Sequence, residues 1–313
     1  MSNSVSRDIA GRCTACDFAE ARRVGLKNGF QLLVCQRCRT LYTDNGQSSA
    51  GPPDYNDYYG PHNLSVNESV ALRLREIVAG FSAYRSNNRL LDIGFGAGAF
   101  LLTARRDHWD AFGVEVSRSA YEYAKGQGFN VFNGQLAEAQ YPDHHFDVII
   151  ASEILEHVPD PRTLTREIAR ILRPGGLFWA TTPHGRGLSF HLINLRWSVI
   201  SPPEHLQIFS RKGIRLMLRD AGFRRVRLRT HGFNPMEIVH VLRSPSAGEA
   251  AGAPATHAEE SVAEGESVSH REDYYKLNEM LMQSPVRRGI KRMVNGVLNV
   301  GQMGDSLKIE AGL

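Results

Sequence analysis

The sequence predicts an α/β protein with a mostly parallel sheet, a small four-cysteine metal module ahead of it and a helical insertion near its end. Three observations carry this. Short apolar runs alternate with helical stretches over residues 61–234, the pattern of strands joined by crossover helices. A glycine-rich turn, GFGAGA, follows the first of those runs. All four cysteines of the chain fall within residues 11–43.

The chain has 313 residues, 42% hydrophobic and 22% charged, enough for one large domain and a small one. A net charge of +4 is too weak to argue for a nucleic-acid partner by itself. No apolar run approaches the roughly 20 residues of a membrane-spanning helix. The opening MSNSVSRDIAGR lacks the apolar stretch of a secretory signal. The expected location is therefore the cytoplasm, where cysteines usually serve metals or chemistry rather than disulfides.

In the first element, Cys13-x-x-Cys16 and Cys35-x-x-Cys38 are separated by 18 residues. That spacing suits two knuckles presenting four thiolates to one tetrahedral Zn²⁺. The residues between them, GLKNGFQLLV (25–34), read as a hairpin turning at Asn28-Gly29. A segment this small has little core, so metal would supply much of its stability. A redox dithiol is the alternative. Two paired motifs favour a closed structural site, which leaves no open coordination position for catalysis. This zinc ribbon is assigned to residues 11–43 and a Tyr-rich linker to 44–60.

The remaining residues, 61–313, form the α/β domain. Its first strand, RLLDI (89–93), runs into Gly94-Phe95-Gly96-Ala97-Gly98-Ala99, and a helix follows. The glycines permit a tight turn and close approach of a ligand to the backbone. Taken alone the string also fits a dinucleotide loop. Asp92 distinguishes the two readings: a carboxylate there sits badly beside a pyrophosphate and suits a ligand carrying positive charge. The second strand, AFGVEV (111–116), ends on Glu115, placed to accept ribose hydroxyls. After a third strand (129–132), Asn133, Gly134, Gln135 and Leu136 are where an adenine edge is expected. A fourth strand, FDVIIA (146–151), leads into Ser152-Glu153-Ile154-Leu155-Glu156-His157.

These motifs, with SEILEHVPDP, LRPGG (172–176), WSVISPPEHLQIFS (197–210) and RLMLRDAGF (215–223), resemble class I S-adenosylmethionine methyltransferases. They are most similar to a subgroup containing ubiquinone-biosynthesis, sugar and natural-product methyltransferases. The resemblance covers residues 54–234. It implies a Rossmann-like seven-stranded methyltransferase sheet, with GDSLKIEAGL as a last antiparallel strand. It implies S-adenosylmethionine as cofactor, bound by Asp92, Gly94, Gly96, Gly98, Glu115 and the 134–136 turn. Ser152, Glu153 and His157 would lie beside its methionine end. The cysteine module also resembles the zinc-binding part of sugar methyltransferases, and by analogy Tyr58, with Tyr55 and Tyr59, would close over the cofactor or simply pack the linker.

Transfer to an oxygen or nitrogen needs a proton removed, for which a histidine suits. The candidates are His205, then His184, with Glu204 orienting its neighbour; each can equally fix a loop by hydrogen bonds. The acceptor expected is a small molecule, sugar or lipid-linked hydroxyl.

Residues 244–270 are small, polar and acidic and are expected to be disordered. Residues 271–303 form a helical insertion. Within it, Val286, Ile290, Met293, Val294, Val297 and Leu298 fall at helical spacing beside Arg287, Arg288, Lys291 and Arg292. Packing or a substrate lid is favoured there over peripheral membrane contact through 285–300. Two other classes compete. An RNA methyltransferase would use the ribbon and RRVRLR (224–229), but those arginines alternate along an expected strand and read as a solvated face. A nicotinamide oxidoreductase is disfavoured by Asp92 and by the lack of a second mononucleotide-binding half.

Overall fold

The computed structural model describes residues 11–44, 68–243 and 285–313. Tyr55, Tyr58 and Tyr59 and the segment 244–270 lie outside the described residues. The strands are β1 (Ala21–Lys27), β2 (Phe30–Cys35), β3 (Leu41–Thr43), β4 (Arg89–Ile93), β5 (Asp110–Glu115), β6 (Asn130–Asn133), β7 (Phe146–Ser152), β8 (Leu172–Pro183), β9 (Gln207–Ile208), β10 (Arg225–His231) and β11 (Ser306–Gly312). The helices are α1 (Glu68–Ala79), α2 (Ala99–Arg106), α3 (Arg118–Gly126), α4 (Pro161–Ile171), α5 (Leu188–Ile193), α6 (Arg211–Asp220), α7 (Pro235–Arg243) and α8 (Pro285–Val300).

Seven strands form one sheet in the order β10-β11-β8-β7-β4-β5-β6. The pairs β4–β5, β5–β6, β4–β7 and β7–β8 are parallel. The runs expected at 89–93, 111–116, 129–132, 146–151 and 224–229 are all strands, with ends moved by one or two residues, and GDSLKIEAGL carries β11. β8 begins at Leu172 and takes in the LRPGG run, at a register shift against β7 between Phe146 and Val148. From β4 the chain winds outward through β5 and β6, then returns to the other flank with β7 and β8. The reversal lies between β4 and β7, the place where an open α/β sheet leaves a crevice at its carboxyl edge.

Alternation along the central strands decides both cores. Leu90, Val148, Ile150, Leu177 and Trp179 face one side and pack on Leu74, Val78, Phe100 and Ala104 of α1 and α2. Leu91, Ile93, Ile149, Ala151, Phe178 and Ala180 face the other and meet Ile168 of α4 and Ile214 and Met217 of α6. Both faces are apolar because both are covered, as a parallel sheet requires. The helices start where the sequence caps them. Ser117 accepts from Ala120 N ahead of α3, Asp160 from Thr163 N at 3.0 Å ahead of α4, and Ser210 from Gly213 N at 2.9 Å ahead of α6.

The cysteine ribbon is not a separate bead. Cys13, Ala15, Leu33, Cys35, Cys38 and Tyr42 belong to the same buried cluster as Phe209, Ile214 and Met217. The four-stranded sheet β1-β2-β3-β9 takes its last strand from the segment between β8 and α6.

The described residues fall into two compact units: Met1–Gly185 with Ser201–Arg229 and Leu307–Leu313, and Arg186–Ile200 with Thr230–Ser306. In the second, Asp305 accepts from Ser189 N at 2.9 Å and Glu237 from Ser198 N at 2.7 Å. Asn295 and Asn299 of α8 accept from Gly232 N and Thr230 N. The described side chains of the apolar stripe expected on α8 are not all buried. Leu298 is buried, whereas Met293 and Val297 are about two-thirds exposed, at 65% and 68%. The helix docks through the side that carries Leu298 and the two asparagines.

Candidate functional site

The glycine loop leaves β4 at the reversal point. Gly94, Gly96 and Gly98 have φ of 67°, 50° and 73°, the left-handed region that a side chain disfavours. At Gly94 space forbids one as well: a Cβ would lie 2.1 Å from Ile154 Cδ1. Gly98 precedes α2 without any side-chain cap, so the first-turn N–H groups of that helix are left for water or a ligand. Gly96 N donates to Glu115 Oε2 and Ser117 N to Glu115 Oε1, each at 2.9 Å. Glu115 therefore braces the loop from the end of β5, and its oxygens retain further lone pairs for hydroxyl donors.

Asp92 is 2% exposed. Burial, and then the charge of Glu115, pushes its carboxyl well above the usual range. A positively charged ligand would offset that cost, whereas an anion would add to it. In the next turn Asn133 Nδ2 donates to Glu115 O at 2.9 Å. Gln135 N donates to Glu138 Oε2 at 2.6 Å, which closes a capping box around Gly134, Gln135 and buried Leu136.

The exit of β7 supplies the opposite wall. Ser152 shares a hydrogen bond with Thr181, Oγ to Oγ1, at 3.0 Å. Glu153 holds φ 55°, with its amide on Thr181 O at 2.9 Å. The left-handed region is one a non-glycine residue rarely adopts. Ile154 lies over Gly94, so this segment and the glycine loop touch.

Beyond Ile154 the chain reaches Glu156 and His157, and here the segment 201–210 returns. His157 Nδ1 donates to Glu204 O at 2.8 Å, which places the ring's lone pair on Nε2 when it is neutral. Burial first, and then the neighbouring His205, holds the His157 imidazole below its ordinary value. The two rings stand edge to face with centroids 4.6 Å apart. Glu204 itself accepts from Ser201 Oγ at 3.3 Å. His184 is 2% exposed, and its backbone forms a parallel bridge with Phe209. Thus His205, Glu204 and His157 come together at the carboxyl edge of β7. His184 is tied into the floor beneath the same segment.

Glu156 is the residue that sequence reasoning missed. It is fully buried and accepts from Thr182 Oγ1 at 2.9 Å, while its Oε1 has no hydrogen-bond partner. Burial and the nearby Glu153 raise its carboxyl well above the ordinary range. Atoms of Glu156, His157 and His205 that could hold a metal ion lie within 4.8 Å of one another. The available signal was the repeated Glu-His pair, Glu156-His157 and Glu204-His205, on two segments bound for one edge. Gln207 was also missed. Its Nε2 donates to Leu155 O and Val158 O, both at 2.8 Å, and clamps the two segments together.

Among the cysteines, Cys13 and Cys38 sulfurs are 3.6 Å apart, as are those of Cys16 and Cys35, and all four lie within 4.8 Å. A disulfide needs about 2.05 Å, whereas a tetrahedron of Zn–S bonds near 2.3 Å spaces its sulfurs by about 3.8 Å. Cys38 N also points at Cys35 Sγ at 3.4 Å. Burial pushes the Cys16 thiol up to about 12, a cost that a divalent cation removes. The four sulfurs fit zinc.

The class follows from the fold. The chain is similar to the crystal structure of a SAM dependent methyltransferase from Archaeoglobus fulgidus, with a TM-score of 0.51 at 20% identity, covering 83% of this chain and all of that one. The sheet and its order are therefore those of that α/β class. Residues 66–228 match the family described as a methyltransferase domain, and the chain belongs to that family. The relatives it resembles include a 27-O-demethylrifamycin SV methyltransferase of Amycolatopsis mediterranei, 33% identical over 39% of this chain and 48% of that protein. A ubiquinone biosynthesis O-methyltransferase of Thiobacillus denitrificans is 25% identical over 57% of this chain and 82% of its own length. A second of that name, from Methylococcus capsulatus, is 30% identical over 39% of the chain and 53% of its length. The chain spans about half the length of the first and third of these relatives.

Proposed function

We propose that the protein is a methyltransferase that moves a methyl group from S-adenosylmethionine to a hydroxyl of a small-molecule, sugar or lipid-linked acceptor. The observation that carries this is the left-handed glycine loop braced by Glu115 beside the buried carboxylate of Asp92. Asp92, Gly94, Gly96, Gly98 and Glu115, with Gly134, Gln135 and Leu136, hold the cofactor, and Ser152, Glu153 and His157 border its reactive end. The names of the relatives, a 27-O-demethylrifamycin SV methyltransferase and a ubiquinone biosynthesis O-methyltransferase, favour an oxygen acceptor.

When bound, the cofactor supplies a methyl group already activated by positive sulfur. What the chain must add is position and a proton acceptor. His205 is assigned as that base: it is partly exposed, stands at the edge where the acceptor enters, and has the His157 ring beside it. A neutral His157 leaves His205 free of a second positive charge at its side. Glu204 acts through its backbone oxygen, which orients His157. His184, buried under the segment, is a supporting residue. Zinc on Cys13, Cys16, Cys35 and Cys38 is structural. Nothing in the site favours RNA: Arg225, Arg227 and Arg229 are exposed at alternate positions of β10, on the solvated face expected for them.

The test is calorimetric titration with S-adenosylhomocysteine of the zinc-loaded chain and of Gly96→Arg. Micromolar affinity, weakened at least 100-fold in the variant, is the expected result. No binding by the folded wild-type chain would sink the proposal.

A further inference from the structure

The segment that carries His205 does not hold its own shape. Its strand, β9, has only two residues, shorter than a strand that persists without partners. The cysteine ribbon grips it at three places, from three separate parts of the ribbon. At the near end, Asn28, on the tip of the β1–β2 hairpin, donates through Nδ2 to Pro202 O at 2.9 Å. In the middle, β3 pairs antiparallel with β9, Leu41 opposite Ile208 and Tyr42 opposite Gln207. At the far end, Ser210 Oγ donates to Cys38 O, and Gly213 passes so close to Thr40 that a Cβ there would lie 2.2 Å from its Oγ1.

Leu206, the residue after His205, is fixed from both sides. Its carbonyl accepts from Thr43 N at 2.9 Å and from Thr43 Oγ1 at 3.2 Å. Its amide donates to Glu156 O at 2.9 Å. One residue thus joins the ribbon to the β7 exit, and the imidazole of His205 hangs next to that junction.

We infer that the ribbon is a positioning module for the acceptor side of the site, and that Thr43 and Asn28 are its positioning residues. The inference rests on the assignment of His205 above. In this arrangement the metal acts at a distance. Cys35 and Cys38 lie in the knuckle that leads into β3, so a closed metal site holds β3 in register. β3 in turn sets where the backbone of Leu206 runs. The glycine loop has no share in these bonds, so the ribbon is expected to leave cofactor affinity untouched.

The experiment uses the full zinc-loaded chain and three variants. Thr43→Pro removes the amide that meets Leu206, Asn28→Ala removes the grip on Pro202, and Thr43→Ser keeps both Thr43 donors. Three quantities are read without any acceptor: amide hydrogen exchange over residues 204–207, the imidazole resonances of His157 and His205, and affinity for S-adenosylhomocysteine. Expected are exchange at least tenfold faster in Thr43→Pro and about threefold faster in Asn28→Ala, with shifted histidine resonances in both. Thr43→Ser should match wild type, and affinity should stay within threefold in all. If Thr43→Pro fails to fold with one zinc per chain, Asn28→Ala decides. Unchanged exchange and resonances with zinc bound would overturn the inference. So would affinity falling in step with exchange, because the ribbon would then be supporting the whole domain. A wild-type chain that binds no S-adenosylhomocysteine would count against the methyltransferase reading, and the exchange comparison would still stand or fall separately.

Discussion

On the β4–β5 side of the crevice, the candidate residues Asp92, Gly94, Gly96, Gly98 and Glu115 lie in two consecutive strand–turn units joined by one helix. Their geometry is local: three left-handed glycines and two backbone amides on one carboxylate. On the β7–β8 side, the residues that meet come from 28, 43, 156–157, 182–184 and 204–207. Their geometry exists only after those distant pieces have assembled. A cofactor shared by many proteins can be held by a short local device. An acceptor particular to one protein is met by a surface that other parts of the chain can reshape.

The largest expected effect starts at the ribbon and reaches the core that both sides share. Stripping zinc with a strong chelator should unfold the ribbon and expose Leu33, Tyr42 and their neighbours from the shared core. At about 1.5–3 kcal/mol per large buried side chain, the thermal midpoint should fall by about 10 °C or more, as scanning calorimetry would show. A midpoint unchanged by complete zinc loss would show that the metal does not support the fold. Next, His205→Ala should lower the methyl-transfer rate by about 100-fold or more with S-adenosylhomocysteine affinity unchanged. Equal loss of both would erase the division between the two sides.

Asp92→Asn tests the cofactor side through pH. The folded carboxyl lies above its unfolded value. Its stabilising contribution is therefore complete below the unfolded pKa, about 3.9, and is lost as pH rises through the folded value. At neutral pH the ligand-free protein bears that cost, so Asp92→Asn should melt higher than wild type at pH 8 and gain less at pH 4. The same variant should bind S-adenosylmethionine at least tenfold more weakly. A variant that melts lower at pH 8 would mean that the carboxylate is already paired. The smallest effect is expected from Arg227→Ala. Its ion pair with Glu310 is long, 3.7 Å, with the arginine 69% exposed. Stability should change by no more than about 0.5 kcal/mol, and binding of mixed RNA should not change with it. A variant that lost RNA affinity would revive a nucleic-acid role.

What the sequence disclosed follows the same division. The α/β sheet was legible because β4, β7 and β8 bury both faces and carry short apolar runs, Leu90-Leu91, Val148–Ala151 and Leu177–Ala180. The glycine loop was legible because its φ values admit little but glycine. Cys13, Cys16, Cys35 and Cys38 were legible from spacing alone. Glu156 was hidden because a carboxylate in an apolar stretch gives no sign of whether it ends buried against Thr182 or in water. The role of Thr43 was hidden for another reason: a backbone amide leaves no mark on the residue type. That β8 runs from Leu172 through Pro174, Gly175 and Gly176 was hidden because those residues signal a turn, yet the register shift against β7 lets the ladder take them in. The part of Asn295 and Asn299 in docking α8 was hidden because an apolar stripe does not report hydrogen bonds.

The pairing of Thr43 with Leu206 joins positions 163 residues apart. On a ribosome adding about 5–20 residues per second, the two are made roughly 8–30 s apart. Through that interval β3 has one edge without the partner it will finally have, on a nascent chain whose thiols are already free to take metal. Early capture of zinc would hold that edge in a short, fixed register, and a slow capture would leave it open to pairing with another chain. A ribbon that takes zinc as proposed would therefore tie yield, as well as the finished fold, to the supply of metal during synthesis.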